Sequence, residues 1–373
     1  MICAMQMNTG GRFYQPELDG LRFIAFLLVF IHNSPINSSN PLLNALHEYG
    51  WIGVDLFFCL SAFLITKLLV MEHRQTGEIS VRNFYFRRAL RILPLYFIYT
   101  SIAVYYIIQT IGWDATLLKH LLGITTFTYD FVYLCLTYKT FSVFFHLWTI
   151  SYEEQFYAVI PWIARKLIYV SEKTVWGWLI VACIIGSLIR ASFIYLKVPH
   201  PAIYMLPFTH FEAILGGLAA GFGLFDKFLS GTKGWILLAP GLIGNAIIFL
   251  LPNTYEIGWN LMITYPMVGI GMLFIVLAMS KRDGNVFAKA LGFKPLVYLG
   301  KISFGLYLFH LICISMVFQF PGGRLENHAI HNLLAPIISL ILTIVLSALS
   351  YQWIEIPFLK LRERFGSIKS RPV

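Results

Sequence analysis

Apolar runs of about 20 residues recur along almost the whole chain, and this repetition constrains the fold more than any other feature. A helix of about 20 residues can cross the roughly 30 Å hydrocarbon layer of a bilayer. The charged fraction, 12%, is well below the roughly 25% of a soluble domain. We therefore predict an all-α polytopic membrane helix bundle with about ten transmembrane helices. The predicted spans are residues 18–35, 51–70, 92–113, 153–170, 175–195, 203–223, 235–252, 261–280, 297–319 and 331–353.

Residues 117–150 form one more semi-apolar stretch, which threonines, Asp130 and Lys139 interrupt. We interpret this stretch as a re-entrant or interfacial segment. Short cytoplasmic loops of membrane proteins hold an excess of Lys and Arg. Ten spans with a cytoplasmic N-terminus give this bias, whereas an eleventh full span would reverse every later loop. The sequence therefore predicts that both termini are cytoplasmic.

This topology divides the chain into three parts. We predict a cytoplasmic N-terminal segment at 1–16, a membrane domain at 17–357 and a basic cytoplasmic tail at 358–373. The net charge of +10 could suggest a nucleic-acid partner, but the basic residues lie between apolar runs. The lipid bilayer is the predicted partner, and nucleic acid is not. The five cysteines show no metal-ligand spacing, so we predict no metal site.

The first apolar run, ELDGLRFIAFLLVFIHN, contains ionisable residues at both ends. An ionisable group at the centre of a membrane helix costs at least about 2.5 kcal/mol, which suggests a function or a specific partner. Asp19 and Arg22 are three residues apart on one helix face, and an interfacial ion pair would explain them. His32 lies ten residues beyond Arg22, about 15 Å along the helix axis. A hydrogen-bonded structural role for His32 is the simpler alternative.

Further polar residues accompany the next spans. Asp55 and Ser61 lie within the second apolar run. An arginine cluster, Arg87, Arg88 and Arg91, precedes the third run, and either membrane anchoring or recognition of a phosphorylated ligand would explain it.

A second polar group opens the fourth predicted span, in HLWTISYEEQFY. This segment holds His146, Ser151, Glu153 and Glu154. Ser151 and Glu154 have the spacing of a helix capping box, which is compatible with a further chemical role.

Taken together and in this order, these segments resemble the acyltransferase-3 family of membrane acyltransferases. The residues that support the resemblance are DGLR at 19–22, His32, GVDLFFCLSAFLI at 53–65, RRALR at 87–91, HLWTISYEEQFY at 146–157, THFEAILGGLAAG at 209–221, LGKISFGLYLFH at 299–310 and YQWIEIPFLK at 351–360. The resemblance extends from about residue 17 to residue 360. It implies a multi-pass protein of the bacterial inner (plasma) membrane.

The resemblance also implies an activity: transfer of an acyl group, usually acetyl from cytosolic acetyl-CoA, to a hydroxyl of a carbohydrate or lipid-linked glycan at the far face. Catalytic candidates are His32 as the base, Glu154 or Asp55 as the group that sets its tautomer, and Ser61 or a backbone N–H at the oxyanion. Candidate binding residues are Arg87, Arg88 and Arg91 for the coenzyme phosphates, and Asp19, Arg22, His146 and Glu153 for substrate.

Three positions depart from the family pattern. Nine residues separate Arg22 from His32 where ten are usual, so an unbroken helix would place the two side chains about 80° apart. Ala62 stands at a usual glycine, and His210 at a common arginine. The sequence predicts a stand-alone acyltransferase without an appended hydrolase-like domain. The buried ionisable residues also allow a proton-coupled secondary transporter or exporter.

Overall fold

The structure is a computed structural model that describes residues 13–36, 40–136, 141–251, 254–281, 283, 285–319 and 328–365. For residues 319 and 328–333 it describes the backbone alone. Within these ranges every regular element is a helix, which confirms the all-α prediction. Most of the predicted N-terminal segment, the end of the basic tail and Lys139 lie outside the described residues.

The helices are numbered here in chain order. In the described residues they are α1 (Pro16–Asn33), α2 (Pro41–Tyr49), α3 (Ile52–Thr76), α4 (Val81–Thr110), α5 (Thr116–Thr125), α6 (Tyr129–Cys135), α7 (Leu147–Leu167), α8 (Glu172–Tyr195), α9 (Ala202–Met205), α10 (Glu212–Gly221), α11 (Gly234–Ala246), α12 (Leu261–Ser280), α13 (Val286–Leu291), α14 (Lys294–Lys301), α15 (Ser303–Gln319), α16 (His328–Ser350) and α17 (Ile356–Glu363). Short 3₁₀ turns occupy Ser142–Phe144 and Ile247–Leu250, and a π-helical turn at Tyr351–Glu355 joins α16 to α17.

Several helix ends follow directly from the local sequence. The side chains of Asn40 and Ser80 accept backbone N–H bonds at the starts of α2 and α4, which satisfies donors that the helix cannot pair. Gly77 ends α3 with a φ of +82°, a conformation that glycine adopts without steric cost.

Five of the described helices are long and apolar enough to cross a bilayer: α3, α4, α8, α12 and the continuous stretch Leu334–Phe365. A sixth is obtained if α14 and α15, which are bent by 71° relative to each other, form one span. The structure therefore supports a multi-pass helical protein and does not establish ten spans. The cytoplasmic position of the termini stays a prediction.

Three other predicted spans lack the length or the apolar character of a helix that crosses a bilayer, and their local sequences give the reasons. α1 and α7 carry the charged residues singled out above, which lower their apolar character. The predicted span 203–223 consists of α9 and α10, and Pro207 lies in the break between them. The segment 117–150 contains α5, α6 and a 3₁₀ turn, each too short to cross a bilayer alone.

α3 is the central helix of the bundle, and α8 lies at its periphery. The apolar window of α3 is 72% buried, whereas that of α8 is 22% buried. α10 approaches α3 closely through glycines: a Cβ at Gly217 would lie 2.3 Å from the carbonyl oxygen of Cys59. Any larger residue there would separate the two helices.

The start of α1 is fixed against α14. A Cβ at Gly300 would lie 1.8 Å from the carbonyl oxygen of Asp19, so the two backbones touch at this point. This contact sets the position of Asp19 and of Arg22, one turn further along the same helix.

Candidate active site

A cavity opens among α1, α3, α4, α7, α15 and α17, and we call it the arginine cavity. It comprises about 1250 Å³ of empty space, open solvent at its mouth included. The charged side chains of its wall are Asp19, Arg22, Arg88, Arg91, Glu153 and Arg362. Four guanidinium groups against two carboxylates leave an excess of two positive charges. Apolar and aromatic side chains, including Phe57, Phe58 and Ile65, complete the wall.

Two of the arginines have well-defined surroundings. Arg22 bonds to Asp19 through Nη1 and Oδ1 at 3.1 Å, which confirms the contact that their spacing predicts. The guanidinium of Arg88 lies 5.8 Å from the ring centres of both Phe84 and Tyr157. Its Nε is buried, and within the described part of the chain it has no hydrogen-bond partner. Arg88 is therefore able to donate a further hydrogen bond.

Glu153 lies in the wall of the arginine cavity and is linked to two hydroxyl groups. Its carboxylate accepts hydrogen bonds from Ser61 and Tyr157. The adjacent Glu154 is not in the cavity wall. One of its carboxylate oxygens is buried, with no hydrogen-bond partner among the described residues. The neighbouring carboxylates thus have different surroundings.

The Arg87 side chain lies apart from those of Arg88 and Arg91. Its two terminal nitrogens donate to Oε2 of Glu72 and to the carbonyl oxygen of Phe365, each at 2.8 Å. It is absent from the cavity wall, where Arg88 and Arg91 lie. The structure thus separates the three arginines that the sequence grouped.

A second pocket lies at the far end of α1, and we call it the histidine pocket. Its lining residues are His32, Asn33, Asn44, His47, Glu48, Phe145 and Tyr255. Nδ1 of His32 lies 2.7 Å from the backbone carbonyl oxygen of His47, and Nε2 lies 3.4 Å from the Tyr255 hydroxyl. A carbonyl can only accept, so Nδ1 carries the proton, and Nε2 of the neutral imidazole keeps an acceptor lone pair, which the Tyr255 hydroxyl approaches. A basic imidazole nitrogen therefore faces the pocket.

The structure resolves two expectations about His32. α1 is an unbroken α-helix, so Arg22 and His32 keep the offset of about 80° around the helix axis, and His32 is turned towards α2. The group that sets its tautomer is a backbone carbonyl, whereas the sequence hypothesis assigned this role to Glu154 or Asp55.

Asp55 belongs to a separate buried cluster. Its Oδ1 lies 2.8 Å from Nε2 of His210, and both side chains are 1% exposed. A second buried ion pair, between Arg190 and Glu212, lies beside it, and the Tyr265 ring contacts both His210 and Arg190. Neither Asp55 nor His210 lines the arginine cavity or the histidine pocket. Asp55 is thus placed in a packed ionic cluster.

A group of polar side chains separates the arginine cavity from the histidine pocket, and we call it the septum. It consists of Asn33, His146, Tyr307 and His310. The His146 and His310 rings lie 5.0 Å apart, and each lies 5.5 Å from the ring of Tyr307. Tyr307 faces the arginine cavity and bonds to Thr149 at 2.7 Å. Nδ2 of Asn33, in the histidine pocket, lies 3.4 Å from Nε2 of His310.

Sequence reasoning missed three residues of this region: Tyr307 and His310 of the septum, and Arg362 of the cavity. Tyr307 and His310 lie within the last four residues of the quoted segment LGKISFGLYLFH, so an intramembrane histidine was visible there. For Arg362, the sequence indicated only that it belongs to a basic tail, and nothing pointed to a place in the cavity. Among the described residues, no three His, Cys, Asp or Glu side chains are grouped as metal ligands.

Comparison with known proteins adds a family assignment. The model of a family described as "Acyltransferase domain" matches residues 15–352. A Staphylococcus aureus (strain MSSA476) protein named "Putative O-acetyltransferase SAS0844" is 28% identical over 383 residues, covering 96% of this chain and 59% of the relative. "O-acetyltransferase OatA" of Staphylococcus aureus (strain NCTC 8325 / PS 47) is 26% identical over 363 residues, covering 93% of this chain and 57% of the relative.

The chain therefore spans slightly more than half the length of these two relatives. No solved structure matches it. The family match covers most of the chain and includes the arginines of α1 and α4, the septum histidines and His32. The chain belongs to the acyltransferase-3 family.

Proposed function

We propose that this protein is a membrane O-acetyltransferase. Its donor is acetyl-CoA, bound in the arginine cavity from the cytoplasm, and its acceptor is a hydroxyl of a carbohydrate or lipid-linked glycan. The acceptor enters the histidine pocket from the extracytoplasmic side of a bacterial plasma membrane. The names of the two relatives support acetyl as the transferred group.

One observation carries the proposal: a single helix, α1, contributes to both cavities. Arg22 lies in the wall of the arginine cavity, and His32 lies in the histidine pocket. His32 is ten positions beyond Arg22, which places it about 15 Å further along the helix axis. An enzyme that joins a donor and an acceptor from opposite sides of a membrane needs such a pair of adjacent sites.

The arginine cavity suits a coenzyme A thioester. Guanidinium groups match phosphate oxygens in a two-pronged geometry, and the cavity holds Arg22, Arg88 and Arg91. The aromatic and aliphatic wall near Phe57 and Phe58 fits the less polar arm that carries the thioester. Glu153 and Ser61, also in the wall, are assigned to this substrate.

The histidine pocket suits an attacking hydroxyl. Nε2 of His32 accepts the hydroxyl proton while the oxygen attacks the thioester carbonyl, and the hydrogen bond from Nδ1 to the His47 carbonyl holds the imidazole in place. The thioester carbon forms a bond to this oxygen and releases the coenzyme thiolate. Because the septum separates the two sites, Tyr307 and His310 must shift before the substrates can meet.

The buried ionisable residues also allow a proton-coupled transporter, as the sequence indicated. Asp55 and Glu212 are each in an ion pair within the bundle. Membership of an acyltransferase family gives no support to this alternative.

Purified full-length protein with radiolabelled acetyl-CoA and a panel of glycans tests the proposal. We expect transfer of label to a glycan, and Arg88→Gln should raise the KM for acetyl-CoA about 10- to 150-fold, because a hydrogen bond to a charged group contributes about 1.5–3 kcal/mol. Arg82→Gln is the matched control, since Arg82 is exposed at the start of the same helix. An absence of CoA binding, or solute counterflow without CoA, would contradict the proposal.

A further inference from the structure

The C-terminal helix α17 brings one charged side chain into the arginine cavity. Arg362 is 7% exposed and lines the cavity, whereas Lys360 and Glu363 of the same short helix, and Arg364 directly after it, are exposed to solvent. Leu359, one turn earlier, is buried on the same face. Burial of an arginine in a cavity wall is costly unless other groups there compensate its charge.

The end of α17 is fastened to the rest of the bundle. Arg87 donates one hydrogen bond to the carbonyl oxygen of Phe365, just beyond α17, and a second to the buried carboxylate of Glu72 on α3. The rings of Phe365 and Phe86 stack with their centres 5.2 Å apart. A residue outside the cavity, Arg87, thus holds in place the helix that delivers Arg362.

The cavity arginines come from three separate helices. Arg22 belongs to α1, Arg88 and Arg91 belong to α4, and Arg362 belongs to α17. The charges of Arg91 and Arg362 both act on Arg88. Like charges gathered around one space repel one another, and the two cavity carboxylates offset only half of the four positive charges. An anion with several negative charges would relieve this repulsion.

We propose that Arg362 is a phosphate-binding residue of the donor site and that Arg87 is the positioning residue that holds α17 against it. This inference rests on the proposed function. Coenzyme A carries a diphosphate and a separate 3′-phosphate, so arginines from different helices can each contact a phosphate group. α17 is then part of the donor site as well as the start of the predicted basic tail.

The decisive experiment compares Arg362→Gln with Arg364→Gln in the full-length purified protein. We expect Arg362→Gln to raise the KM for acetyl-CoA about 10- to 100-fold with an unchanged kcat, because a charge-assisted hydrogen bond to phosphate is lost. Arg364→Gln alters an exposed arginine two residues away and should leave both constants unchanged. Arg362→Lys should recover part of the affinity, since it restores the charge without the planar fork.

Dephospho-acetyl-CoA, which lacks the 3′-phosphate, identifies the contacted group. If Arg362 binds the 3′-phosphate, the wild type and Arg362→Gln should have the same KM for this donor. If it binds the diphosphate, the difference between them should persist. Either result supports the proposal.

A double-mutant cycle tests the role of Arg87. Arg87→Gln should raise the KM in the wild-type background and have little further effect in Arg362→Gln, because both changes remove the same contact. A purely structural Arg87 would lower the Tm in both backgrounds without this coupling, which would overturn its assignment.

The outcomes separate this inference from the proposed function. If Arg362→Gln leaves the KM unchanged while Arg88→Gln raises it, the donor site stands and the role of α17 is refuted. If wild-type protein fails to bind coenzyme A at all, the proposed function itself is refuted.

Discussion

The arginine cavity and the histidine pocket differ in the chemistry of their walls. The first has four guanidinium groups and extensive aromatic surface, whereas the described lining of the second has two imidazoles, two amides, one carboxylate and no Lys or Arg. The first wall attracts a multiply charged anion, and the second offers hydrogen-bond donors and acceptors to a polar neutral group. Changes in the arginine cavity should therefore alter donor affinity, and changes in the histidine pocket should alter the chemical step.

His32→Ala should reduce the rate of acetyl transfer more than any other change. A small effect would contradict the assignment of the chemical step to the histidine pocket. Loss of a general base reduces the rate by about 10²- to 10⁴-fold. We expect kcat for acetyl transfer to fall by this factor, while coenzyme A binding, measured by thermal stabilisation, stays as in the wild type. The reason is that His32 lies in the histidine pocket and not in the arginine cavity.

His73→Ala is the matched control for His32→Ala. His73 lies in the last turn of α3, and its ring contacts that of Tyr169, away from both sites. Transfer activity that survives in His32→Ala would remove His32 from the mechanism. A parallel loss of coenzyme A binding would mean that the two sites are one.

Asp55→Ala should affect stability more than any other property, because the buried cluster of Asp55 and His210 belongs to neither site. Removal of one partner of a buried ion pair typically costs about 3–5 kcal/mol. We expect a marked fall in the Tm in detergent, with little change in the KM for acetyl-CoA of the protein that remains folded. Asp55→Asn should cost less, since an amide can still form a hydrogen bond to His210.

A stable Asp55→Ala variant with strongly reduced kcat would reverse this assignment. It would return Asp55 to the catalytic role that the sequence resemblance implied.

Neighbouring residues show how far sequence reasoning reached. The order of motifs predicted the family and the contact between Asp19 and Arg22, because residues three apart share a helix face. It could not separate Arg87 from Arg88, or Glu153 from Glu154. Adjacent residues on a helix point about 100° apart, so only the packing of other helices decides which of them faces a cavity.

Long-range packing also explains the other differences. Asp55 was grouped with His32 on the basis of the family pattern, but α10 brings His210 against it from 155 residues along the chain. Arg362 lines the arginine cavity because the fold returns α17 to α4, where Arg87 donates a hydrogen bond to Phe365 just beyond α17. The number of spans stays a prediction. α1 and α7 are not among the helices apolar enough to cross a bilayer, because they carry charged residues, several of which line the cavity wall.

Ser61→Ala should have the smallest effect and gives the sharpest distinction between a wall residue and a catalytic one. The Ser61 hydroxyl already donates to Glu153 in the arginine cavity. Its loss removes one hydrogen bond, about 1 kcal/mol, so we expect a roughly fivefold lower kcat/KM. Ser101→Ala, which alters an exposed serine of α4, should leave kcat/KM unchanged. Removal of an oxyanion donor lowers kcat by about 10²- to 10³-fold. A loss of that size would show that the Ser61 hydroxyl donates to the oxygen of the reacting carbonyl during the reaction and no longer to Glu153. The donor thioester would then lie deeper in the cavity, against the septum. The arginine cavity would in that case contribute to the chemical step as well as to donor binding.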